Sequence, residues 1–364
     1  LKSTDLQQQI AVTLLPHFGK KRVRTILRHL GSLDEFFKAK KKQLLEIPGL
    51  SEKHIRSIDL DLALKAAEPH ADYLVKNGFQ SHFYQDESFP KKLNECDDAP
   101  LLLYSYGNMD LNVAKTVAIV GTRKASDYGK KLCEELIESF ASQNILVVSG
   151  LAYGIDIHVH QLCLKQKLQT VGVLAHGLDR LYPAMHRRAA RQMLENGGLL
   201  TEFLPGTNPD RENFPMRNRI VAGMCDATIV IESGIKGGSL ITAELANDYC
   251  RDVFAFPGDV SREFSQGCNR LIQQNKAHLI TSPEEFLTFM EWGKPVTKQL
   301  DLFEKLNEKE KAIVSCFREK MELSFDNLIQ HTKLSFSDLS VHLLNLEFSG
   351  LVKAFPGKFY RLAL

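Results

Sequence analysis

The stretch "TVAIVGTRKASDYGKKL" (Thr116–Leu132) changes character at a single glycine. Thr116 to Val120 is apolar on both faces, as a strand buried in a parallel sheet is. Gly121 opens a turn, and the apolar spacing beyond Asp127 is helical. Ser126 or Asp127 is placed to cap that helix. Such a strand–turn–helix junction binds anions, because the first N–H groups of a helix lack partners. It is not a dinucleotide fingerprint. Gly121 stands alone, and Arg123 and Lys124 occupy the places of the further glycines. A cationic turn at this position asks for a different anion.

Working outward, six more strand-like runs follow: "ILVVSG" from Ile145, "TVGVLA" from Thr170, "GLLTEF" from Gly198, "ATIVIES" from Ala227, "DVFAFPG" from Asp252 and "AHLI" from Ala277. Helical patterns separate nearly all of them. Right-handed crossovers then give an α/β fold, an extended Rossmann-like, doubly wound and mostly parallel sheet. Residues 79–112 are an approach segment that adds edge strands. Ligands of such sheets bind beyond the C-terminal strand ends.

Those ends repeat one sign of charge. The first gives Gly121, Thr122, Arg123 and Lys124. The second gives Ser149 and Gly150, then Tyr153 and Gly154, and carries no acidic residue at its tip for a ribose. The third gives Arg180, Tyr182, His186, Arg187 and Arg188. The fourth gives Arg211, Phe214, Arg217 and Arg219, and the fifth Lys236, Gly237, Gly238 and Ser239. A mononucleotide needs one or two such loops. Several cradles on one rim suit a row of phosphates, and Tyr153, Tyr182 and Phe214 are candidates for stacking on bases. Arg217 and Arg219 lie two apart on a helix and diverge, so one of them is expected to be structural, with Asp226 or Glu232 as partner. His158 and His160 diverge likewise and are not read as metal ligands. Asp156 and His160 share a helix face and are expected to form a hydrogen-bonded pair.

The flanks differ from the middle. The chain of 364 residues divides as a helical domain over 1–75, the sheet domain over 76–290, a linker over 291–303 ("EWGKPVTKQLDLF") and a compact unit over 304–364. The first holds two turn-plus-helix repeats, Leu14–Gly31 and Leu44–Ile58, of the helix-hairpin-helix or SAM-like kind. Lys20, Lys21, Arg22, Arg24 and Arg28 make the first repeat a candidate partner of a DNA backbone. The last unit reads as three helices and a hairpin turning at Pro356-Gly357, the winged-helix pattern. Its third helix, Phe336–Phe348, has Asp338 and Glu347 and no Lys or Arg, which disfavours reading of a major groove. Lys353, Lys358 and Arg361 leave a wing contact open.

Net charge is +2 and 44% of residues are hydrophobic, a globular balance. No apolar run approaches the ~20 residues of a membrane span. No signal peptide is read at the N-terminus. The seven cysteines are scattered and form no C-x-x-C pair, so reduced thiols in the cytoplasm are expected.

Taken in order, "VGTRKASDYG", "SGLAYGIDIHVH", "LDRLYP", "FPMRNRIVAG", "KGGSLITAELA" and "VFAFPG" closely resemble the DprA/Smf DNA-processing family, as does the upstream "DESFPKKLNECDDAPLLLYSYGN". The resemblance implies a protein that binds and protects single-stranded DNA in natural transformation. It implies a homodimer through the Rossmann-like domain, in the region of Asp226 to Phe256, and loading of the recombinase RecA. It implies no cofactor and no catalysis. Carried over by motif, Arg123 is the leading DNA contact, with Arg211, Arg217, Arg219 and Lys236 behind it. Ala184 departs from the family's usual Lys and His186 from its usual Asn, which leaves Arg187 and Arg188 to compensate. "GGSLITAE" (Gly237–Glu244) also resembles the phosphate loop of nucleotide phosphoribohydrolases, with Glu244 and Arg217 as the residues to act on a ribose. Leu240 and Ile241 replace that loop's Gly-Thr pair.

Overall fold

The structure is a computed structural model that describes residues 3–141, 143–293, 306–317, 322–348, 351–355 and 357–362. It forms two compact units, Leu1–Trp292 and Gly293–Leu364. Most of the expected linker and Pro356 of the expected hairpin turn lie outside the described residues.

Six helices lead the first unit: α1 (Ser3–Leu14), α2 (Lys20–Leu30), α3 (Leu33–Lys38), α4 (Lys41–Leu45), α5 (Glu52–Arg56) and α6 (Leu60–Lys76). Then come β1 (Gln80–Phe83), α7 (Lys91–Glu95) and β2 (Leu102–Asn108). Strands and helices alternate from there. The inner pairs are β3 (Lys115–Val120) with α8 (Asp127–Phe140), β4 (Ile145–Ser149) with α9 (Ile155–Gln166), and β5 (Thr170–Val173) with α10 (Arg187–Met193). Next are β6 (Gly197–Thr201) with α11 (Asn213–Gly223) and β7 (Ala227–Val230) with α12 (Gly238–Asp248). The unit closes with β8 (Asp252–Ala255), α13 (Gln266–Gln273), β9 (His278–Leu279) and α14 (Pro283–Phe289).

The nine strands form one sheet in the order β1-β2-β6-β5-β4-β3-β7-β8-β9. Pairing is parallel from β6 to β9, and β1 and β2 add an antiparallel edge. The chain winds outward from β3 through β4, β5 and β6. It then returns to β7, on the other side of β3, and winds outward again. The strand order therefore reverses between β3 and β7, where the turns diverge and leave a crevice.

Both faces of the sheet are covered, which is why its strands read as unbroken apolar runs. Within β3, Val117 and Ile119 join the core under α8, α9 and α14, with Phe140, Val159 and Phe286. Ala118 and Val120 face the opposite core, with Ile220, Val221 and Ala243 of α11 and α12. That second core runs on without a break into the leading helices through Ile10, Phe36 and Leu74.

Three basic residues of α2 reach the segment around α7. The buried Lys20 donates to the carbonyls of Asn94 and Cys96 at 2.6 and 2.9 Å. Burial and the nearby Arg24 push its ammonium down to about 8. Arg24 donates to the Asn94 side chain at 2.7 Å, and Lys21 pairs with Asp97 at 3.0 Å. Lys20, Lys21 and Arg24 of the first hairpin therefore serve contacts within the unit, while Arg28 is exposed.

The second unit holds α15 (Glu308–Cys316), β10 (Leu323–Ser324), α16 (Phe325–Thr332), α17 (Phe336–Phe348), β11 (Val352–Phe355) and β12 (Phe359–Leu362). The three helices and the hairpin are as expected. The short β10 extends the hairpin into a three-stranded sheet, β10-β12-β11. Two residues are too few to show a period, and β10 exists only because β12 supplies its pairing partner. On α17, Phe336, Val341, Leu344 and Phe348 are exposed, so the helix offers an apolar surface rather than a cationic one.

His160 is fully buried on α9, and its Nδ1 meets the Thr170 hydroxyl at 2.8 Å, not Asp156 as its spacing suggested. The Thr170 hydroxyl already donates to the Val147 carbonyl, so it accepts from the ring, which is neutral. Burial, with His186 and Arg217 nearby, pushes the ring down to about 3. The unfolded chain binds this proton and the folded one does not. Stability is thus complete above the ordinary histidine value and falls as pH drops towards about 3. Over that window His160 should remove about 1.4 kcal/mol of stability per pH unit. Urea unfolding at a series of pH values should show His160→Gln with a shallower acid-side slope than the parent.

Candidate nucleic-acid interface

At the reversal between β3 and β7 lies a cleft of about 970 Å³. Its walls come from the turns after β3, β4 and β7, from α11 and the start of α12, from Tyr182 and Arg211 of neighbouring loops, and from Gln266 at the start of α13. Among the expected residues, Gly121, Thr122, Arg123, Gly150, Arg211 and Phe214 line it. So do Arg217, Lys236, Gly237, Gly238 and Ser239.

Their roles divide. Arg123, Arg211 and Lys236 are exposed, and none is in an ion pair with a described residue. The Arg123 guanidinium lies 5.4 Å from the centre of the Phe214 ring, and Phe214 meets Tyr182 edge-on at 6.3 Å. A cation stacked on a ring keeps its donors free while losing side-chain freedom. Opposite, α12 begins at Gly238, and the backbone N–H groups of Gly238 and Ser239 donate to no acceptor among the described residues. Free cations, unpaired helix N–H groups and an aromatic pair share one crevice.

Arg217 is different. It is buried beneath the cleft floor, where it donates to the Gly150 carbonyl and, at 2.5 Å, to the Val173 carbonyl. Burial pushes its guanidinium down to about 10, against the opposing pull of Asp156. Burial likewise raises the Asp156 carboxyl, while Arg217 and the Ala152 N–H draw it back. Gly150 is required here, since a Cβ on it would lie 2.5 Å from the Arg217 guanidinium. Gly121 also serves packing, because a Cβ there would lie 2.5 Å from Ile155.

Five expected contacts are not in the cleft. The Ser149 hydroxyl is buried and donates to the Ile119 carbonyl at 2.7 Å. Lys124 is exposed but outside the lining. Neither Arg187 nor Arg188 of α10 lines the cleft, and Arg188 lines a separate groove with Gln161 and Lys165. Tyr182 is the residue of that third loop that reaches the cleft. Arg219 turns away to Glu202 and the Asp98 carbonyl. The expected partners of Arg217 and Arg219 are otherwise engaged: Asp226 pairs with Lys92 at 2.9 Å, and Glu232 holds Ser126.

Glu232 accounts for the missing glycines of the turn after β3. This buried carboxylate, just past β7, accepts from the Ser126 N–H at 3.0 Å and from the Ser126 hydroxyl at 2.5 Å. Its backbone carbonyl accepts from the Thr122 N–H at 2.8 Å. The N-terminus of α8, where a dinucleotide fold binds pyrophosphate, thus already holds an anion that belongs to the protein. Further glycines would serve no purpose. Nothing in sequence spacing pairs position 232 with position 126; only the β3–β7 register brings them together.

Glu244, the acid expected in the ribohydrolase alternative, is exposed on the outer side of α12 and pairs with Lys276 at 3.3 Å. It does not line the cleft that holds Arg217.

These features define an extended Rossmann-like protein with a cationic cleft at the switch point and a winged-helix unit. Comparison with known proteins then gives the family. Residues 80–291 match the family model for DNA recombination-mediator protein A, and residues 304–358 match that for the DprA winged helix domain. The chain belongs to the DprA/Smf family of DNA-processing proteins. It is 30% identical to Protein Smf of Synechocystis, with 94% of this chain and 95% of that relative covered. It is 40% identical to DNA processing protein DprA of Streptococcus pneumoniae, over 59% of this chain and 75% of the relative. The solved DprA structure from S. pneumoniae matches with a TM-score of 0.63 at 32% identity, covering 79% of this chain and 98% of that one. The solved structure of Helicobacter pylori DNA processing protein A, a protein with a single-stranded DNA binding mode, matches with a TM-score of 0.53 at 28% identity. It covers 58% of this chain and 95% of that one. No described helix is long and apolar enough to cross a membrane.

Truncating Arg217 should leave the buried Gly150 and Val173 carbonyls without their donor. Arg217→Ala should therefore reduce stability by about 2 kcal/mol or more, read by urea unfolding at neutral pH.

Proposed function

We propose that the cleft binds single-stranded DNA, with phosphates at Arg123, Arg211, Lys236 and the start of α12, and bases against Phe214 and Tyr182. The observation that carries this reading is the set of exposed cations, in no ion pair with a described residue, in one crevice beside an aromatic pair. A closed nucleotide pocket would instead present an open helix N-terminus after the first strand, and Glu232 fills that place. Single-stranded DNA binding by the H. pylori relative supports the same ligand class. In this reading the chain protects incoming single strands during natural transformation and helps to load RecA onto them. It does so in the cytoplasm, as a homodimer formed through the sheet unit. The protein acts by binding, with neither cofactor nor catalysis, and Arg219 and Ser149 hold the scaffold.

Gel-shift titration should show tighter binding to oligo-dT than to duplex, with affinity falling steeply as salt rises. Arg123→Ala or Lys236→Ala should weaken binding and reduce the salt slope by roughly 0.7 for each phosphate no longer neutralised. Arg219→Ala, at matched folded fraction, should leave that slope unchanged. Equal slopes for all three variants would place the DNA elsewhere.

The ribohydrolase reading makes a separate demand. Incubation with AMP should release no adenine, by the parent or by Glu244→Ala. Release that disappears in Glu244→Ala would establish the enzyme instead.

A further inference from the structure

The cleft does not stop at α12. On the far side of that helix's first turn lies a second groove of about 400 Å³. Ile235, Lys236, Gly237 and Ile241 line both, so the two grooves meet across the N-terminus of α12. The second is floored by α13 and carries Arg270 and Lys276. Arg270 is exposed and in no ion pair with a described residue. Lys276 is held by Glu244 at 3.3 Å, with both side chains about half exposed. On the ridge between the grooves, Ile235 and Ile241 are 48% and 41% exposed.

We propose that this second groove is a binding subsite for the continuation of the same DNA strand, so that the strand leaves the first cleft over the ridge of Ile235 and Ile241 and meets Arg270 and Lys276. This rests on the single-strand reading of the first cleft. Each part has a chemical reason. A polyanion that leaves Lys236 follows the next free cation within the same channel, which is Arg270. The exposed isoleucines offer apolar contact to a base or sugar where the backbone must turn. Glu244 restrains this path. Its carboxylate neutralises Lys276 and repels phosphate, so the subsite is weaker than the first cleft and is filled only by strands long enough to span both.

The subsite gives a dependence on length that the first cleft alone does not. Oligo-dT of increasing length is titrated against the full chain by fluorescence anisotropy at several salt concentrations. The shortest oligomers that bind should have the same affinity for the parent and for Arg270→Ala. Longer ones should bind Arg270→Ala up to about fivefold more weakly, the range for an exposed charge pair, and with a shallower salt slope. Glu244→Gln should act in the opposite sense, tightening long oligomers and leaving short ones unchanged. Arg123→Ala serves as the reference for the first cleft. If Arg123→Ala weakens binding at every length while Arg270→Ala or Glu244→Gln has no length-dependent effect, the second subsite is wrong and the first stands. If Arg123→Ala has no effect at any length, the single-strand reading falls and this proposal falls with it.

Discussion

The cleft depends on the guanidinium of Arg217. It reaches from α11 under the ends of β4 and β5 and takes the carbonyls of Gly150 and Val173. Strand ends in a parallel sheet leave carbonyls without partners on the side where the chain departs. In most βα units the following helix or water satisfies them. Here a buried cation does, with Asp156 as its counter-charge. The arrangement fixes α11 against the sheet, and α11 carries Phe214 one turn away. The aromatic wall stands where it does because an arginine beneath it is locked.

A second internal charge shapes the opposite wall. Glu232 fills the N-terminus of α8 and ties the turn after β3 to the end of β7. The two buried ions work in opposite senses. One supplies donors to carbonyls that would otherwise be orphaned, and the other supplies an acceptor to N–H groups that would otherwise attract a ligand phosphate. With both ends satisfied from within, the anion-binding capacity of the crevice passes to α12 and to the exposed cations. The Rossmann-like sheet keeps its switch point, while one arginine and one glutamate beneath the crevice satisfy the backbone groups at its strand and helix ends.

The architecture was largely legible in the sequence. Buried parallel strands must be apolar on both faces, so "TVAIV" and "ATIVI" declare themselves. The bounds of α17 follow from its apolar spacing. The strand-end rule pointed to Arg123, Arg211, Phe214 and Lys236, all of which line the cleft. It also pointed to residues that do not. Ser149, Lys124, Arg187, Arg188 and Arg219 lie just past strands or on the following helices, yet they face the core or other surfaces. Position along the chain gives proximity to the crevice; the rotation of each turn and helix gives direction. Lys20 and Arg24 of α2 make the same point, since charge alone does not tell a ligand contact from a contact to Asn94 and Cys96.

Local periodicity along the chain gives the layered α/β plan, the appended helical and winged-helix segments, and the sign of charge at the strand ends. These follow from local periodicity and from the chemistry of βα turns. Which of those charges pair with other described residues depends on how the chain folds. Arg217 and Arg219 are alike in sequence, yet one is locked beneath the cleft and the other is paired with Glu202 on another surface. The turn "VGTRKASDYG" lacks its glycines because Glu232, far along the chain, already occupies the helix end. Such pairings depend on parallel register and helix rotation, which bring Glu232 to Ser126 across more than a hundred positions.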